Sequence, residues 1–70
     1  MLITIVYSEQ FTDNAKSLRD AVKAEWSDVS MNMLGTLRTL YQVQLDNEIV
    51  YSADSVTDND TIINLIKERL

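Results

Sequence analysis

Ser8 is the one side chain whose setting suggests a nucleophile, since it follows the apolar run Leu2 to Tyr7 and precedes a helical period. A hydroxyl at such a place needs a base before it reacts. The chain contains no histidine to act as that base, so Ser8 reads as a polar loop or capping residue. It also contains no cysteine, which removes thiol nucleophiles, dithiol redox couples, disulfides and iron–sulfur ligation. The ordinary zinc ligand sets go with them. Asp54, Asp58, Asn59 and Asp60 bring together oxygens that suit calcium, yet they lack the EF-hand spacing, its glycine and its closing glutamate. Capping of a helix N-terminus explains Asp58 and Asp60 without a metal. Asp46 and Glu48 are too close to a tight turn to flank a sugar as a glycosidase pair does. The expectation is a protein that is not an enzyme and that holds no cofactor and no metal.

The elements around these residues follow from periodicity. Leu2-Ile3-Thr4-Ile5-Val6-Tyr7 is rich in β-branched residues, and apolar side chains fall on both faces. That describes a strand covered on both sides, or one in the middle of a sheet. Phe11, Ala15, Leu18, Val22 and Trp26 recur at helical spacing and predict a helix near residues 12 to 26, capped by Thr12 or Asp13. Val29, Met31 and Met33 alternate with polar residues as in a strand, and the only glycine, Gly35, then marks a turn that needs positive φ. Tyr41, Val43 and Leu45 alternate with glutamines up to the two-residue turn Asp46-Asn47. Glu48 to Ser52 closes that hairpin, with Ile49 and Tyr51 on one face and Val50 on the other. Asp58 to Leu70 carries Ile62, Ile63, Leu65, Ile66 and Leu70 at helical spacing, behind a capping box formed by Thr57 and Asp60.

Seventy residues make one domain, 1–70, and the order is strand, helix, three strands, helix. A βαβ start is a right-handed parallel crossover, and the hairpins add antiparallel strands. The predicted fold is therefore α/β (α+β): a βαβββα two-layer sandwich with a mixed four-stranded sheet that both helices cover.

Tyr41-Gln42-Val43-Gln44-Leu45-Asp46-Asn47-Glu48-Ile49-Val50-Tyr51-Ser52, preceded by Val29-Ser30-Met31 and Gly35-Thr36, resembles the selenoprotein W-like (Rdx) family. That family has a thioredoxin-like fold and a hairpin reading aromatic-x-Val-x-Leu-Asp-Gly-Glu, with Asn47 here standing for the glycine. Its Cys-x-x-Cys or Cys-x-x-selenocysteine motif would fall on Ser8-Glu9-Gln10-Phe11, which places Ser8 and Phe11 at the two chalcogen positions. Thiol–disulfide exchange needs a thiolate, and neither residue supplies one. What the resemblance implies is a retained fold with its redox activity lost.

Eleven acids against six bases give a net charge of −5, too acidic and too scattered in its bases for direct nucleic-acid binding. The apolar start, Met1 to Tyr7, is short and has no basic residues before it, so neither a signal peptide nor a membrane anchor is expected and the expected place is the cytoplasm. Met33, Leu34 and Leu37 flank a turn, where apolar residues are unusual. Met31 and Met33 face the core on one reading and form an adaptable contact surface on the other. The preferred expectation is a small acidic protein-interaction module, monomer or weak homodimer, of a size and charge that suit a phage or mobile-element accessory factor acting on a host protein. Its partner-binding candidates are Met33, Leu34 and Leu37 at the turn, and Glu9 at the former redox edge. The alternative expectation is a small-molecule or residual enzymatic site in the groove beside Tyr7, Ser8 and Glu9.

Overall fold

The computed structural model describes all residues, 1–70. Strand β1 (Leu2–Ser8) leads through a short 3-10 turn (Glu9–Phe11) into helix α1 (Thr12–Glu25). Strands β2 (Ser30–Thr36), β3 (Tyr41–Leu45) and β4 (Glu48–Ala53) follow, and helix α2 (Asn59–Lys67) ends the order. The sheet runs β2-β1-β3-β4, with β1 parallel to β2 and antiparallel to β3, and β3 antiparallel to β4. This is the mixed four-stranded α+β layout that the pattern predicts. No helix is long and apolar enough to cross a membrane.

Apolar residues on both faces of β1 reflect its central place between β2 and β3. The two faces are not equal. Ile3 and Ile5, with Tyr41, Val43 and Leu45 beside them, join Ala15, Leu18 and Val22 of α1 and Ile62, Ile63 and Ile66 of α2 in one buried cluster. Each fully buried aliphatic side chain there contributes roughly 1.5–3 kcal/mol. The helices run side by side in the same direction, because Asn59 Nδ2 donates to Ser17 Oγ at 3.0 Å and Lys67 Nζ pairs with Glu25 at 2.6 Å. The opposite face bears Leu34, Val6, Gln42 and Ser52 in one row and Asn32, Thr4, Gln44 and Ile49 in the next. Gln44 Nε2 donates to Gln42 Oε1, and Gln42 Nε2 to Ser52 Oγ, so that face is tied by a polar ladder.

Four local expectations are corrected. Gly35 is not at a turn: it pairs with Tyr7 inside β2 and its φ is not positive, and the bend lies at Leu37–Thr39. A lone glycine permits a left-handed residue without requiring one. Neither Thr12 nor Asp13 caps α1. The 3-10 turn delivers the chain into the helix, and Thr12 Oγ1 donates back to the Glu9 carbonyl at 2.6 Å. At α2 the cap is Asp58 rather than Thr57: its carboxylate accepts from the Thr61 amide at 3.2 Å and from the Thr61 hydroxyl at 2.8 Å, with no reciprocal bond back to the Asp58 amide, and Leu70 lies exposed beyond the helix. In β4 a bulge makes Val50 the extra residue between Ile49 and Tyr51. The bulge breaks strict alternation, so Val50 and Tyr51 both join the core side and Ile49 is left on the open face, 52% exposed.

Candidate functional site

The C-terminal ends of the parallel strands β1 and β2 meet the start of α1 at one end of the molecule, the usual place for a crevice in parallel α/β units. A cleft of about 330 Å³ opens there, lined by Tyr7, Glu9, Thr12, Gly35, Thr36 and Leu37. A second concavity of about 500 Å³ adjoins it over Glu9, Gln10, Thr36 and Leu37. Both open broadly to solvent, whereas small-molecule sites usually bury most of their ligand. Leu37 stands at the shared rim with its side chain fully in water, 106% exposed. Its neighbour Leu34 is 46% exposed, on the open face of the sheet. Arg38 follows, exposed, its amide donating to Thr36 Oγ1 at 3.3 Å.

The candidate residues separate into two groups. Glu9 and Leu37 line the cleft. Ser8 and Phe11 do not. Ser8 is 5% exposed, its amide donates to the Leu40 carbonyl at 2.9 Å, and its Oγ has no hydrogen-bond partner. A buried hydroxyl with no base beside it is not poised for attack. Phe11 packs edge-on against Tyr41, ring centroids 5.9 Å apart, and rests on the core. Met31 and Met33 are half-buried against the core from the helix side of β2, while Leu34 points the other way. Thr12 and Thr36 line the cleft although nothing in the local pattern singled them out for a site. They reach it because parallel pairing sets Thr36 beside Ser8.

Tyr41 anchors the floor of this end. Its ring is fully buried, its hydroxyl donates to the Asn14 carbonyl at 3.2 Å, and Tyr51 stacks edge-on at 6.3 Å. Burial, with a smaller contribution from Tyr51, pushes the Tyr41 phenol up to about 12. Asp58 is held below the usual carboxylate range by its hydrogen bonds from the Thr61 hydroxyl and amide. No group of three or more Asp or Glu side chains comes together in a way that would hold a metal ion. No protein-family model and no curated protein sequence matches the chain.

Proposed function

We propose that the chain is a small, acidic, non-catalytic interaction module that captures a protein partner at the cleft between the ends of β1 and β2. Leu37 carries this reading. A leucine fully in water at the rim of an open cleft gains its burial energy only when something covers it. Leu34 extends the apolar contact onto the open sheet face, and Glu9 gives the cleft an acidic edge suited to a basic partner segment. The lack of cysteine and histidine, together with a Ser8 hydroxyl shut away from the cleft, supports binding rather than catalysis. On this reading the fold is a redox-inactive relative of the Rdx proteins, working in the cytoplasm as a phage or mobile-element accessory factor.

The test is affinity capture of the tagged protein from its native host lysate, with and without nuclease, beside Leu37→Asp and Leu34→Asp variants. The expected result is one stoichiometric protein that survives nuclease and is lost from both variants, while their thermal unfolding matches the parent. Capture unchanged by Leu37→Asp would contradict the assignment.

A further inference from the structure

The two edges of the sheet are not equally protected. Edge strand β4 is bulged at Val50 and begins at Glu48, whose carboxylate pairs with Arg69 at 3.6 Å. Bulges and charges are the ordinary guards of a free edge. Edge strand β2, Ser-Met-Asn-Met-Leu-Gly-Thr, has none of them: it is seven residues long, uncharged, unbulged and free of proline. The Ser30 amide donates inward to the Met1 carbonyl at 2.9 Å. Backbone groups alternate in direction along a strand, so those of Asn32, Leu34 and Thr36 also turn toward β1, and those of Met31, Met33 and Gly35 turn outward.

We infer that this edge pairs with β2 of a second copy, antiparallel about Met33, to make one continuous eight-stranded sheet. A two-fold axis at the middle residue is the only register that uses the whole strand. It sets Met33 against Met33, and Met31 against Gly35 of the second copy, so every outward amide and carbonyl meets its complement. A Cβ on Gly35 would meet nothing within 4 Å, which leaves open space beside it for the opposing Met31 side chain. The same register brings Asp28, two residues before the strand, to the corner where Arg38 of the second copy lies two residues after it. Both side chains are exposed, and neither takes part in any ion pair within its own chain. The two-fold axis makes this complementarity twice. A second copy is therefore the occupant that the charges favour. The dimer does not rest on the function proposed above, since it uses the length of the strand rather than the Leu37 cleft.

Sedimentation of the purified chain over a wide concentration range tests this, in the parent, Met33→Lys, Asp28→Arg, Arg38→Asp and the double Asp28→Arg/Arg38→Asp. The parent should pass from monomer to dimer, and Met33→Lys, which faces lysine to lysine on the axis, should remain monomeric. Each single reversal should weaken the dimer about tenfold, and the double variant should return to within about twofold of the parent. The reversals sit on exposed residues outside the elements, so they keep the test sound even if Met33→Lys unfolds. A parent that stays monomeric throughout would overturn the proposal, as it would if the edge were kept for a strand of another protein. Association untouched by Met33→Lys, or single reversals that the double variant does not rescue, would also overturn it.

Discussion

Tyr41 links the core to the cleft end at the scale of one residue. Its phenol is favoured in the neutral form by burial and, to a smaller extent, by the neighbouring Tyr51, which raises the folded value to about 12 from the ordinary 10.0. Below about pH 10 both folded and unfolded chains keep this proton, and the contribution is fully present. Between pH 10 and 12 the unfolded chain loses the proton first, so stability should fall steadily through that window. Urea unfolding at successive pH values should show this slope in the parent and a smaller one in Tyr41→Phe. An equal slope in both would show that Tyr41 is not the group responsible. Asp58 acts in the opposite sense: its carboxylate is favoured by folding, so its contribution is lost only in acid, as pH falls through its lowered folded value.

Among the elements, the β3–β4 hairpin shows what local chemistry can and cannot announce. Asp46 and Asn47 have φ of 48° and 74°, the paired left-handed residues of a type I′ turn. Asp46 also accepts from the Leu2 amide through Oδ1 at 2.9 Å, so the turn is pinned to β1. Thermal melts should show Asn47→Gly unchanged or slightly raised, because glycine fits this conformation freely. Asn47→Val should lose about 1–2 kcal/mol, a drop of several degrees in Tm for a domain of this size. Equal melts for the two variants would remove the strain argument. This turn was legible because alternation on both sides frames two residues that tolerate the left-handed region. The bulge at Val50 was not legible, since Ile49-Val50-Tyr51 reads as plain alternation and only pairing with β3 sets the extra residue apart. Gly35 misled for a related reason: its neighbour in β1 decides that it stays extended. The helical stripes of α1 and α2 were plain, while their caps depended on how the chain enters each helix. Leu37 announced itself as an apolar residue beside a turn, whereas Thr12 and Thr36 join the cleft only through the parallel approach of two strand ends.

For the whole molecule, both helices cover one face of the sheet and the other carries a polar ladder broken by Val6, Leu34 and Ile49. With β4 bulged and charged, the side of the molecule left for association is the β2 flank, from Ser30 to the exposed Leu37. A domain this small gains stability when such a flank is covered. Amide hydrogen exchange, read residue by residue along β2 at low and high protein concentration, tests this most directly. In dilute solution the amides of Asn32, Leu34 and Thr36 should be protected and those of Met31, Met33 and Gly35 should exchange freely, in strict alternation. At high concentration the second set should become protected as well. Loss of the alternation, or outward amides whose exchange no concentration slows, would contradict the account.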